Sequence, residues 1–202
     1  LDASQRAVLH EAAVRIGRSA SYSNAGTVEF LMDVDSGEFY FIEVNARIQV
    51  EHPVTEMVTG IDLIKSQIAI AAGEPLKVTQ DQVQCSGVAI ECRINAENPE
   101  KNFQPCPGTI EQIFVPGGPG VRFDSHVQAG YTVPPYYDSL IGKLIVHQQT
   151  RAEAIQCMLR CLDELNVQGI TTTAEMHSEI LQHSDFVEGN VDTTWVERTF
   201  FS

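Results

Sequence analysis

The residues best suited to chemistry lie between Gly26 and Glu56. Glu29 sits inside an apolar run, Thr27 to Met32, and Glu43 lies near the end of a second, Phe39 to Val44, beyond the turn Asp35-Ser36-Gly37. Two runs rich in Phe, Tyr, Ile and Val across an Asp/Ser/Gly turn predict a β-hairpin. With the turn centred on Ser36, Glu29 falls opposite Glu43, and directly opposed side chains are roughly 4.5–5.5 Å apart at Cβ. Alternation along the strand puts Asn45 on the face of Glu43. Two carboxylates and an amide oxygen then share one patch of an otherwise apolar hairpin. Like charges at that separation repel, which favours a cation between them. Hard oxygen ligands suit Mg²⁺ or Mn²⁺, and Mg²⁺ commonly uses one or two carboxylates together with substrate phosphates. The competing reading is a pair of solvated glutamates near strand ends. Arg47 and Glu51 extend the cluster with a fixed cation and a candidate base. Nothing in Gln49-Val50-Glu51-His52-Pro53 looks designed for a core.

The run Glu43-Val44-Asn45-Ala46-Arg47-Ile48-Gln49-Val50-Glu51-His52-Pro53-Val54-Thr55-Glu56 resembles the signature of biotin carboxylase. That is the ATP-grasp component of acetyl-CoA, propionyl-CoA, methylcrotonyl-CoA and pyruvate carboxylases. The Glu-x-Asn-x-Arg core is shared among ATP-grasp enzymes, whereas the Gln-Val-Glu-His-Pro continuation points to biotin carboxylase. The resemblance covers nearly the whole chain, through Gly60-Ile61-Asp62-Leu63, Glu91-Cys92-Arg93-Ile94-Asn95-Ala96-Glu97 and Tyr131 to Lys143. It implies a ligase that carboxylates biotin on a biotin carboxyl carrier protein, using ATP and bicarbonate and passing through carboxyphosphate. In the acetyl-CoA case this chemistry serves fatty acid biosynthesis.

By this resemblance Glu29, Glu43 and Asn45 hold Mg²⁺ or Mn²⁺ and the ATP phosphates, and Leu31 touches adenine. Arg47, Gln49, the backbone at Val50 and Glu51 match the bicarbonate site, with Glu51 taking the bicarbonate proton. Arg93 matches the arginine that stabilises the biotin enolate. An arginine fork suits a planar oxyanion, and a fixed cation aimed where charge develops lowers a barrier economically. His52, standing before Pro53, is read as structural. The family's N-terminal half, with its lid, glycine-rich phosphate loop and ATP- and bicarbonate-binding lysines, is expected to precede Leu1, so that this chain carries about half of a composite site. Pro119 stands where the family's dimer contact often has a large apolar residue, while Arg122 is retained; a homodimer and a separate carboxyltransferase are the other expected partners. Two rivals stay open: another ATP-grasp ligase with an amino acid or carbamate acceptor, and a non-catalytic scaffold domain. Against the scaffold stands the joint presence of Glu29, Glu43, Asn45, Arg47, Glu51 and Arg93.

The 202 residues suffice for one domain or two small ones. A net charge of −14 argues against a nucleic-acid backbone as partner, and no apolar run is long enough to span a membrane. The first residue is Leu1 and no signal-like segment follows. Five cysteines without a Cys-x-x-Cys pair argue for a reducing compartment and against a zinc site or disulfide framework; the resemblance implies the cytoplasm, or the mitochondrial matrix for a eukaryotic acyl-CoA or pyruvate carboxylase. Cys157 and Cys161, four apart on an expected helix, read as small core residues.

The elements that must position these residues are legible in outline. Residues 2–18 predict a helix with Val8, Leu9, Ala12, Ala13 and Ile16 on one face. Thr59 with Asp62 resembles a capping box opening a helix that Gly73 and Pro75 stop. Val88 to Asn95 alternates strictly, with Val88, Ile90, Cys92 and Ile94 on one face and Ala89, Glu91, Arg93 and Asn95 on the other; on pattern alone Arg93 belongs to a solvated face. Thr109 to Val115, Val121 to Val127 and Leu140 to His147 predict strands. The first two are joined by Pro116-Gly117-Gly118-Pro119-Gly120, which is no P-loop, since neither Lys-Ser/Thr nor a helix follows. Thr150 with Glu153 predicts a capping box, followed by core residues Ala154, Ile155, Met158, Leu159, Leu162 and Leu165. Helices near Ala174 to Leu181 and Thr194 to Phe200 complete the chain. The expected class is α+β, with residues 1–78 forming the C-terminal part of an ATP-grasp domain and 79–202 the biotin carboxylase C-terminal domain.

Overall fold

The computed structural model describes every residue except Val34 and Ser202. The class is α+β, and the paired strands are antiparallel. The chain forms two compact units: Leu1–His52 with Gly60–Val83, and Pro53–Thr59 with the residues from Gln84 onward.

The first unit opens with α1 (Ala3–Ser19). Asp2 caps it: the side chain accepts from the Gln5 N–H at 2.8 Å, and the Gln5 side chain accepts from the Asp2 N–H at 3.0 Å. Two orphan amide donors of the first turn are thereby satisfied. Of the predicted apolar face only Ala12 is buried; Leu9, Ala13 and Ile16 are half-buried and Val8 is exposed. The hairpin follows as β1 (Thr27–Met32) and β2 (Phe39–Asn45). Asp33 organises the turn by accepting the N–H groups of Asp35 and Ser36.

The hairpin register departs from a simple turn-centred ladder. Near the turn Met32 pairs with Phe39, Leu31 with Tyr40 and Phe30 with Phe41; beyond a β-bulge, Glu29 pairs with Glu43, Val28 with Val44 and Thr27 with Asn45. Ile42 is the extra residue. Had the turn-proximal ladder continued unbroken, Ile42 would stand opposite Glu29, and Glu43 would point to the other face. The bulge absorbs one residue and restores the facing carboxylates. The predicted pairing of Glu29 with Glu43 is present, but the bulge produces it, not a turn centred on Ser36.

Two expectations are corrected downstream. Thr59 ends a helix, α2 (His52–Thr59), rather than opening one; its hydroxyl donates to the Thr55 carbonyl at 2.6 Å. The next helix, α3 (Leu63–Ala71), is capped by Asp62, whose carboxylate accepts the Lys65 N–H at 2.7 Å. Pro53 and Glu56 of α2 are buried, so the signature stretch does feed a core. Proline suits the first turn of a helix, where its missing N–H costs nothing.

The second unit contains α2 from Pro53 onward, then β3 (Val88–Asn95), β4 (Glu97–Asn98), β5 (Gln104–Pro105), β6 (Gly108–Thr109), β7 (Gln112–Phe114), β8 (Val121–Ser125), β9 (Thr132–Val133), β10 (Leu140–Gln148), α4 (Arg151–Glu164), β11 (Asn166–Gln168), α5 (Ala174–Gln182), α6 (Ser184–Glu188) and α7 (Trp195–Phe200). Its centre is a three-stranded sheet in the order β3-β10-β8. One face packs on α4: Cys92, Ile94, Leu144 and Val146 meet Ala154, Ile155, Met158, Cys161 and Leu162 in one buried cluster. Thr150 and Glu153 form the predicted capping box that starts α4. Cys161 is fully buried, as read from its spacing, and burial pushes its thiol up to about 11. The predicted strand Thr109 to Val115 is broken at Ile110–Glu111 into β6 and β7. β7 pairs with β11, and β8 pairs with β10. The glycine-rich link between β7 and β8 serves chain reversal: Gly120 has φ +70°, and a Cβ there would meet the His147 carbonyl oxygen at 2.3 Å.

Candidate functional site

On the hairpin, one amide ties the acidic pair together. Asn45 Nδ2 donates to a Glu29 oxygen at 2.7 Å and to a Glu43 oxygen at 3.2 Å. Gln49 Nε2 reaches the same Glu29 oxygen at 3.0 Å. Arg47 donates to Asn45 Oδ1 at 3.3 Å and to the Ile48 carbonyl at 3.2 Å. Glu29, Asn45 and Gln49 are half-buried, whereas Glu43 and Arg47 are exposed. Thus Glu29, Glu43, Asn45, Arg47 and Gln49 form one hydrogen-bonded cluster, built from the far end of the hairpin and the segment that follows it.

The arrangement has a plain electrostatic logic. Facing carboxylates need positive charge between them, and the Asn45 amide supplies its two N–H groups there. Turned about its last bond, the same side chain offers Oδ1, giving oxygen donors from Glu29, Glu43 and Asn45. That donor set fits a hard divalent ion that completes its shell with phosphate and water oxygens. Among the described residues, no group of three or more His, Cys, Asp and Glu is close enough to hold a metal, so a hairpin site depends on the amide. Leu31, two positions along β1 on the face of Glu29, pairs with Tyr40, and both are more than half exposed. An apolar patch therefore adjoins the charged one on a single face.

Val50 is half-buried and Glu51 exposed, in the turn that leads into α2. His52 Nδ1 lies 2.8 Å from the Gln49 carbonyl, a local bond consistent with a structural part for that ring.

In the second unit, Arg93 sits on β3 with an exposed side chain, on the sheet face opposite α4. In register across the sheet it is followed by Lys143 on β10 and Asp124 on β8. Lys143 Nζ is 3.8 Å from Asp124. One row along stand Glu91, Ile145 and Arg122. Arg122 makes a bidentate pair with Asp124, both bonds 2.7 Å, and reaches Glu56 of α2 at 2.7 Å. Its guanidinium is held charged most of all by its bond to Asp124. This ion network fastens α2 to the sheet face that carries Arg93. Burial, and secondarily the Glu91 carboxylate, push the Cys92 thiol up to about 12, which makes it a poor nucleophile.

Sequence reading missed α2 and the Arg122–Glu56 pair, and it missed two groups that bind the backbone of Arg93, Thr173 at the N-cap of α5 and His177 within it. Pro53 at a helix start was the one local signal for α2. The other contacts leave no periodic trace in the sequence.

Comparison with known proteins bears on both units. Residues 91–198 match the biotin carboxylase C-terminal domain, and residues 1–79 match the ATP-binding domain of the carbamoyl-phosphate synthase L chain. The chain is 55% identical to biotin carboxylase of Nostoc sp. over 98% of its own length, and 52% identical to biotin carboxylase 1 of Bacillus subtilis; it spans 44% of the length of each. Among solved structures it superposes with a TM-score of 0.94 and 45% identity on the biotin carboxylase domain dimer of Hydrogenobacter thermophilus 2-oxoglutarate carboxylase, which holds MgADP, ADP and bicarbonate. It superposes with a TM-score of 0.93 and 45% identity on the biotin carboxylase–β-γ-ATP complex from Campylobacter jejuni. In both cases 98% of this chain and 44% of the other are covered. No helix of the described residues is long and apolar enough to cross a membrane. With a family match over more than half of its residues and relatives this close, the chain belongs to the biotin carboxylase family.

Proposed function

We propose that the chain supplies the C-terminal part of a biotin carboxylase, with residues 1–78 completing an ATP-grasp domain and 79–202 forming the C-terminal domain. The reaction is ATP- and bicarbonate-dependent carboxylation of biotin on a carrier protein, and a carboxyltransferase consumes the product. The observation that carries this reading is the Asn45 amide shared between Glu29 and Glu43.

In this reading Glu29, Glu43 and Asn45 hold Mg²⁺ or Mn²⁺ on the nucleotide phosphates, and the Leu31 patch lies against adenine. The ion neutralises charge on the phosphates, the main requirement of phosphoryl transfer. Arg47, Gln49 and the Val50 backbone orient bicarbonate, and Glu51 removes its proton. A bicarbonate oxygen then attacks the γ-phosphorus, the bond to the β-bridging oxygen breaks, and ADP leaves with carboxyphosphate as the other product. Carboxyphosphate breaks down to CO₂ and phosphate. The phosphate takes the ureido N–H proton of biotin, Arg93 holds the resulting enolate, and the nitrogen attacks CO₂. The place of Arg93 supports this role: its side chain is exposed on the sheet face opposite α4, where a fixed cation can meet a developing anion.

The chain spans 44% of its relatives' length, and turnover is expected to need the residues that complete the ATP site. The test is bicarbonate-dependent ADP release with free biotin, on this chain and on a version extended upstream to the length of its relatives. Activity confined to the extended version is expected. Absence of both activity and Mg²⁺-nucleotide binding in the two versions overturns the reading in favour of a scaffold. ADP release that needs an amino acid or carbamate and no bicarbonate assigns the chain to another ATP-grasp ligase.

A further inference from the structure

β3 is an edge strand: it pairs with β10 on one side only. The outward row of its N–H and C=O groups therefore needs partners from outside the sheet. The start of α5 provides them. The Thr173 N–H donates to the Asn95 carbonyl at 3.1 Å, and the Asn95 N–H donates to Thr173 Oγ1 at 3.1 Å. That hydroxyl in turn donates to the Arg93 carbonyl at 2.9 Å. One turn along α5, His177 Nε2 meets the same carbonyl at 2.8 Å. Thr173 is buried, so water does not compete for its hydroxyl. One residue stands in for a missing strand, and two side-chain donors converge on one peptide oxygen.

We propose that Thr173 and His177 are positioning residues for Arg93, acting through its main chain. Arginine has a long side chain with four soft torsions, and its charge can be aimed only if its root is fixed. Clamping the Arg93 carbonyl from two directions fixes the root. In register beside it on β10 stands Lys143. A mis-set root of about 1 Å is enough to cost roughly 100-fold where a charge must meet a developing anion. The plain alternative is edge protection with no bearing on chemistry. The inference rests on the reading of Arg93 as the group that meets the biotin enolate.

The test uses the upstream-extended enzyme and two readouts: biotin carboxylation, and bicarbonate-dependent ADP release without biotin. Arg93→Ala, His177→Ala, His177→Gln, Thr173→Val and Thr173→Ser are compared. We expect His177→Ala and Thr173→Val to lower the kcat for biotin carboxylation by about 10-fold or more, with ADP release within about 2-fold of the parent. His177→Gln and Thr173→Ser, which keep a donor, should recover most of the loss. If Arg93→Ala separates the two reactions and the clamp variants do not, the positioning role is overturned and the Arg93 reading stands. If Arg93→Ala depresses both equally, the Arg93 reading falls and the clamp proposal falls with it. Amide exchange offers a second measurement should an alanine variant fail to fold. In Thr173→Ser the Asn95 amide stays protected, whereas in Thr173→Val its exchange rises while the β10 amides hold; unchanged exchange at Asn95 in Thr173→Val overturns the clamp.

Discussion

Glu29 faces Glu43 across the hairpin, although its neighbour Phe30 faces Phe41, so that one residue of β2 is left over between the two pairs. That residue is Ile42. The facing carboxylates thus depend on a bulge, and the bulge makes the site sensitive to chain length on one side of it.

Deleting Ile42 should preserve the site, because an unbroken ladder then runs from Phe30–Phe41 to Glu29–Glu43. Deleting Val44 should destroy it, because Asn45 moves to the opposite face and loses its bonds to both glutamates. Mn²⁺ affinity in the presence of ADP, read by electron paramagnetic resonance on the upstream-extended enzyme, distinguishes the two. Equal affinity in both deletions would contradict the register.

Glu43→Gln should raise the Mg²⁺ concentration needed for half-maximal ADP release by about 10–100-fold, the range seen when a metal site loses a supporting group. Titration of Mg²⁺ at fixed ATP measures it. An unshifted midpoint removes Glu43 from the metal site.

Arg122 and Glu56 should respond unequally to substitution. Glu56 is buried, with only 8% of its side chain exposed, whereas Arg122 is about one-third exposed and also paired with Asp124. Arg122→Met takes the guanidinium away from a buried carboxylate and should destabilise by about 3–5 kcal/mol. Glu56→Gln keeps a hydrogen-bond acceptor and leaves Arg122 its pair with Asp124, and should cost about 1–2 kcal/mol. Urea unfolding of the chain provides both values, and the reverse order would contradict the burial argument.

Acidification should weaken the fold through His177. Burial holds its pKa below the ordinary 6.5, against an opposing contribution from the Arg93 carbonyl. The unfolded chain then takes up a proton near pH 6.5 before the folded one does, so stability falls as pH drops below about 6.5 and is unaffected above it. The slope is at most one proton, about 1.4 kcal/mol per pH unit. Thermal melts between pH 7.5 and 5.5 should show a smaller acid loss in His177→Gln than in the parent.

Much of the local structure could be read directly. Alternation from Val88 to Asn95 announces a half-buried strand, and Cys92 and Ile94 are buried while Arg93 is exposed. Thr150 and Glu153 announce the start of α4 because the capping box is made by residues three apart. The same local logic misassigned Thr59. Its spacing to Asp62 imitates a cap, yet Asp62 itself has the extended backbone and the free carboxylate geometry to accept the Lys65 N–H.

The hairpin, the alternating strand, the α4 cap and the order of acidic, amide and basic residues that marks the family are all legible in the amino-acid order. These depend on neighbours within one turn or one strand. Long-range packing settles which residue the bulge expels, the burial of Pro53 and Glu56, and the clamp on the Arg93 carbonyl from α5. The contacts responsible join residues 66 apart at Glu56–Arg122, and 80 and 84 apart at Arg93–Thr173 and Arg93–His177. A backbone edge is covered by whatever the topology brings to it, and no local period in the chain encodes that partner.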